Sequence, residues 1–157
     1  MHKNHETLKE NHYRHLIIMT ALSFISMYVL MYAMVNVFGN VYLNFNQFYM
    51  AGLMTAPMVL IELSVMRAMY QNKRYNILII VTSVIAALIF FAFIRQQTAI
   101  SDTQFLRSMI PHHAGAILMC EQASLEDTEI TELCENIISS QQAEIDLMKA
   151  KLSELEE

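Results

Sequence analysis

The sequence predicts an all-α protein in which three transmembrane helices lead into a polar helical hairpin outside the membrane. Composition is the first reason: of the 157 residues 55% are hydrophobic and only 16% charged, against roughly 25% charged in soluble domains. Placement is the second, because three long apolar runs fill the first 94 residues. Charge segregation is the third. Of the 15 acidic residues only Glu6, Glu10 and Glu62 precede Ser101, so the net charge of −5 belongs mostly to the tail. No basic patch is present, which excludes nucleic acid as a partner.

Residues 1–15 read as a cytoplasmic N-terminal segment and residues 16–94 as the membrane region. The first run, residues 16–38, carries no charge for 23 residues, more than the roughly 20 needed to cross a hydrocarbon core. It lacks a small-residue cleavage site, so it reads as a retained anchor rather than a signal peptide. The second, residues 45–66, contains Pro57 and Glu62, and proline is tolerated in membrane helices. The third, residues 77–94, is 18 uncharged residues. Glu62 is a functional candidate as the only acid in a span, with Arg67 on the inner flank as its simplest partner.

Lys and Arg set the orientation, since basic flanks stay on the cytoplasmic side. Lys3, Lys9 and Arg14 precede the first span, the 39–44 loop has none, and Arg67, Lys73 and Arg74 separate the second from the third. The N-terminus is therefore expected inside and everything after Arg95 outside, which in a bacterial inner membrane is the periplasm. Arg95 itself lies on the unexpected flank.

The outer part, residues 102–157, reads as two antiparallel helices. Ser101 or Asp102 caps the first, which runs to about Ala123. A break at "SLEDT" follows, and Asp127 or Thr128 caps the second, which carries Ile130, Leu133, Ile137, Ile138, Ile145, Met148, Leu152 and Leu155 on its apolar stripe. A two-helix unit leaves much of each stripe uncovered, so a homodimer closing a four-helix bundle is expected.

The chemistry concentrates on this hairpin. Residues three and four apart share a helix face, which gathers Met109, His112 and His113, with Met119 and Cys120 one to two turns on. Pro111 removes a backbone donor and frees the carbonyl of Arg107. Folding the hairpin about residue 127 brings Cys120 opposite Cys134 and His113 opposite Gln141, with Glu144 and Met148 nearby. Imidazole with thioether favours copper, above all Cu(I), over magnesium or calcium. Core packing is the competing reading, since methionine is a common filler and the chain has 13. Cys120 and Cys134, on the oxidising side, form either a disulfide or a pair of soft-metal thiolates. His2, His5, His12 and His15 read first as a solvated lead into the first span, and second as an inner metal site. The stripes Met27, Met31, Met34 and Met50, Met54, Met58 read as packing or as a Cu(I) path.

The stretches "FLRSMIPHHAGAILMCEQA" and "EITELCENIISSQQAEIDLMKAKL" resemble the domain of unknown function 305 family over about residues 102–152. The shared pattern is Met-x-x-His-His, a following Ala-x-x-Met, and a later Gln-x-x-Glu-x-x-x-Met. The resemblance implies a ferritin-like helical bundle, exported or membrane-anchored, that accompanies copper handling. It implies metal-site roles for Met109, His112, His113, Met119, Gln141, Glu144 and Met148. It implies nothing for the cysteines or the three spans.

The expected function is that of an inner-membrane copper-binding protein serving tolerance, storage or delivery, with Cu(I) favoured, Cu(II) as the other state, and copper-handling proteins as partners. A metal-free structural or partner-binding subunit is the main rival. A ferritin-like metal oxidase is the lesser one, because the Glu-x-x-His motif of such centres is missing.

Overall fold

The computed structural model describes residues 2–157, with side chains from His12 onward. It is all-helical: α1 (His2–Leu30), α2 (Phe45–Val65), α3 (Lys73–Gln96), α4 (Asp102–Gln122) and α5 (Thr128–Glu156), with 3₁₀ turns at Met31–Met34 and Phe38–Asn40. Three helical stretches, His12–Met34, Phe45–Val65 and Lys73–Gln96, are long and apolar enough to cross a membrane. The chain forms two compact units, one of residues 1–30 and 48–98, the other of residues 31–47 and 99–157.

The first span ends earlier than the expected residue 38. Regular α-helix stops at Leu30, and the chain leaves helical structure altogether at Val35. Asn36 explains the stop, because its Oδ1 accepts from the Val37 N–H at 2.8 Å and from Asn40 Nδ2 at 2.8 Å. Such local side-chain bonds offer the backbone an alternative to the helix, and the flanking β-branched valines and Gly39 weaken it further. Counting charges alone missed these breakers.

In the first unit, α2 turns Tyr49, Gly52, Ala56, Val59 and Leu63 inward, a 3-4-3-4 spacing that lines one helix face. A Cβ on Gly52 would overlap the Phe90 ring, so the glycine permits close approach of α3. Phe90 is held in turn by Phe48 and Tyr49, with ring centroids 6.2 and 6.4 Å away. Leu16, Val59, Leu63 and Tyr70 form a second cluster. Glu62 does not pair with Arg67; it accepts from the Tyr70 hydroxyl at 3.2 Å. Burial first, and the Glu62 charge second, raise the Tyr70 phenol above its usual range. Asn72 caps α3 by accepting from the N–H groups of Arg74 and Tyr75. Arg95 lies in the last turn of α3, where the helix dipole favours a cation, and that local benefit accounts for its place on the unexpected flank.

The second unit is the hairpin of α4 and α5 together with the loop of residues 31–47. Ser101 caps α4 and Asp127 caps α5, the latter accepting from Ile130 N at 3.0 Å. Ile110, Ala114, Ile117, Ile145 and Leu152 make the core, joined by Leu106, Ile138 and Met148. Val35 and Tyr42 of the loop pack on the same cluster. Part of the α4 face that the sequence left for a second copy is therefore covered from within the chain. An ion pair of Arg107 with Glu156 at 2.7 Å ties the open end of the hairpin; being partly exposed, it contributes at most about 1 kcal/mol.

Pro111 shows how the loop is attached. Proline cannot donate to the carbonyl four residues back, and that carbonyl, of Arg107, instead accepts from Asn44 Nδ2 at 3.4 Å. The same Asn44 caps α2, its Oδ1 accepting from Gln47 N at 2.9 Å. Around it Phe45 N donates to Gln104 Oε1 at 3.0 Å, and Asn46 Nδ2 to Ser108 Oγ at 3.2 Å. Replacing Asn44 by alanine removes a helix cap and leaves the half-buried Arg107 carbonyl without this donor. Asn44→Ala is expected to cost about 1–3 kcal/mol and to loosen the loop, read as faster amide exchange in residues 31–47.

Candidate metal centre

The site residues of the hairpin separate into three groups. His113 is 9% exposed and is held at both ring nitrogens: Nδ1 lies 3.0 Å from the Met109 carbonyl and Nε2 lies 2.6 Å from Glu144 Oε2. The first contact follows from helical spacing, since residue 109 is one turn before 113. The second comes across the hairpin, on the α5 face that also carries Gln141 and Met148.

This arrangement assigns roles. A carbonyl only accepts, so Nδ1 carries hydrogen, and such a bond behind an imidazole fixes the ring with Nε2 presented forward, as in metal-ligating histidines. Glu144 Oε2 lies against that forward nitrogen, Nε2, at 2.6 Å. Its side chain is 58% exposed and free to swing away. In a chain that binds Cu(I) through these histidines, Glu144→Ala is expected to raise the affinity about three- to tenfold, the order of one partly exposed hydrogen bond removed from competition. A fall in affinity in the same titration would make Glu144 a ligand instead.

His112 is exposed beside it, the two ring centroids 6.1 Å apart with the planes at 62°. Two imidazoles bound to one ion at about 2.0–2.1 Å set their ring centroids no more than roughly 6.4 Å apart. The observed separation falls within that limit. Met109 is half-buried and one turn before both histidines.

The remaining candidates lie elsewhere. Met148 packs on the hydrophobic core, the filler role. Met119 is 54% exposed and, seven residues past His112, stands roughly 10 Å further along the axis, too far to share an ion with it. Gln141 turns its Oε1 into the interior without a hydrogen-bond partner, a costly orphan that a donor on a bound species would relieve. Among the described residues no three His, Cys, Asp or Glu side chains gather around one point. An ion held here therefore relies on histidine and thioether.

Cys120 and Cys134 are joined in a disulfide, their Cα atoms 5.3 Å apart, at the register expected from folding about residue 127. Of the N-terminal histidines, the side chains of His2 and His5 lie outside the described residues; His15 is exposed and His12 half-buried. Met50 and Met54 are 40% and 46% exposed, on the side of α2 away from its buried stripe, as an anchor's outer face requires. Met27 Sδ accepts from Thr55 Oγ1 at 3.7 Å. The residues that sequence reasoning missed are the loop's asparagines. Asn44 was legible as the first position of an Asn-x-x-Gln capping pattern ahead of an apolar run.

A family model described as "Domain of unknown function (DUF305)" matches residues 92–152, beginning inside α3 and covering the hairpin to Leu152. The chain is 34% identical over 142 residues to "Uncharacterized protein L153" of Acanthamoeba polyphaga mimivirus, an alignment covering 88% of this chain and 91% of that protein. No solved structure matches the chain.

Proposed function

This chain belongs to one family with the uncharacterized protein L153 of Acanthamoeba polyphaga mimivirus and carries a DUF305 domain, and for such a chain we propose membrane-anchored copper binding, serving tolerance, storage or delivery. The observation that carries the reading is the His112–His113 pair, rings 6.1 Å apart, with the inner ring already braced at Nδ1 by the Met109 carbonyl. His112 and His113 would supply nitrogen and Met109 sulfur, a mixture that selects Cu(I) over hard cations. Glu144 acts as the displaceable cover. Binding, not turnover, is the activity proposed.

The anchor is an inner membrane with the hairpin on the oxidising side, the periplasm in a bacterium. Two observations support that side. Basic residues flank the inner ends of the candidate spans, and the disulfide belongs in an oxidising compartment. The 31–47 loop shares a unit with residues 99–157, which fits α2 crossing inward and α3 crossing back out between them. A homodimer completing a four-helix bundle remains part of the proposal, because Ile130, Leu133, Leu147 and Leu155 are 47–70% exposed and share one face of α5. Partners that hand over or receive the copper complete it.

The test is Cu(I) titration of the full chain in detergent, with the disulfide intact, against a His112→Ala, His113→Ala variant. Wild type is expected to retain the ion and the variant to lose it. Equal retention by both would remove the site. A second reading has its own support: both nitrogens of His113 are engaged, so the His113–Glu144 contact also serves as a clasp in a metal-free membrane subunit. In that case the double variant loses stability while wild type shows no Cu(I) retention to lose.

A further inference from the structure

The disulfide has a second chemical state, and its surroundings restrict what that state can hold. Cys120 and Cys134 face each other across the hairpin with Cα atoms 5.3 Å apart, close enough for both sulfurs to reach one ion at about 2.3 Å each without backbone movement. One turn away on the same faces stand Ala116, Ile117, Ile130, Ile137 and Ile138. Thr131, the polar neighbour, has its hydroxyl engaged with the Asp127 carbonyl at 2.9 Å. Among the described residues no third His, Cys, Asp or Glu joins the pair. Zinc needs four ligands in a structural site, and this place supplies two.

We propose that the Cys120–Cys134 pair is a redox-gated, two-coordinate site for a soft monovalent cation, Cu(I), at the turn end of the hairpin. A protein dithiol gives two electrons and two protons to the disulfide, becoming a disulfide itself and leaving Cys120 and Cys134 as thiols. Cu(I) then binds both sulfurs and the two thiol protons leave. In reverse, a partner disulfide takes two electrons from the sulfurs and two protons from solvent to become a dithiol, the Cys120–Cys134 bond re-forms, and the Cu(I) ion departs. Metal and disulfide exclude each other, so the redox state of the compartment sets the occupancy. The place is seven residues from His113, roughly 10 Å along the helix, and does not depend on the histidine site.

The full chain in detergent, oxidised or reduced anaerobically with a phosphine that is then removed, is titrated with Cu(I) against a chromophoric Cu(I) chelator, and separately with Zn(II). The reduced chain is expected to take up one more Cu(I) than the oxidised chain and to retain no additional Zn(II). The additional ion is expected to vanish in Cys120→Ser and to persist in the His112→Ala, His113→Ala variant, which separates this site from the histidine site. X-ray absorption on that copper-loaded histidine variant is expected to show two sulfur neighbours, a readout that needs no cysteine variant to fold. Equal Cu(I) uptake in both redox states, an additional ion that survives Cys120→Ser, or Zn(II) held as tightly as Cu(I), would each overturn the proposal.

Discussion

Ile145→Ala is expected to lower the stability of the hairpin by about 2–5 kcal/mol, the cost of truncating a fully buried aliphatic side chain and leaving a cavity. Ile145 is 0% exposed and packs with Ile110, Ala114, Ile117 and Leu152 in the core between α4 and α5. Amide exchange in α4 and α5, measured on the full chain, reads the change. Ser153, further along the same helix, is exposed and away from the face assigned to a second copy, and supplies the control: Ser153→Ala is expected within about 0.5 kcal/mol of wild type. Similar losses at both positions would mean that α5 does not bury the face described here.

The disulfide carries the next largest effect. Cys120 and Cys134 are 14 residues apart, and a cross-link closing a loop near that length contributes about 3 kcal/mol by restricting the unfolded chain. Cys134→Ser is expected to lose stability of that order, again read by exchange in α4 and α5, and the loss should match that produced by reducing the wild-type chain. A variant as stable as the oxidised wild type would show that the hairpin holds its register through the core and the Arg107–Glu156 pair alone.

How much of this could be read in the sequence follows from what each feature depends on. The two hairpin helices depend on period and capping, both local, and Ser101, Asp127 and the apolar stripe located them within a residue or two. The Cys120–Cys134 register followed from the position of the break, because an antiparallel pair is fixed once its turn is known. Glu144 reached His113 although its own calculated opposite lay several residues away, since a long side chain spans about a turn. The early end of α1 depends on competition between Asn36 and the backbone, which hydropathy ignores. The covering of α4 by Val35 and Tyr42 could not be read, because it joins segments separated by two candidate spans. Sharing of Asn44 between the α2 cap and the Arg107 carbonyl is of the same kind: each half is visible locally, at Asn-x-x-Gln and at Pro111, but their meeting is tertiary.

The metal residues divide along the same line. Met109, His112 and His113 fall within a single turn, so spacing alone assembles them, whereas Met119 and Met148 satisfy the family pattern without joining that turn. Position in a motif says which residues recur, and helix rise says which can share an ion. The proposed set is then the three residues Met109, His112 and His113, with Glu144 Oε2 against His113 Nε2.

X-ray absorption at the copper edge of the Cu(I)-loaded, oxidised full chain tests this set most directly. The account expects the scattering of two imidazole rings together with one sulfur, with the imidazole signal abolished by His112→Ala, His113→Ala. A shell of sulfur alone, or an imidazole signal unchanged in that variant, would contradict it.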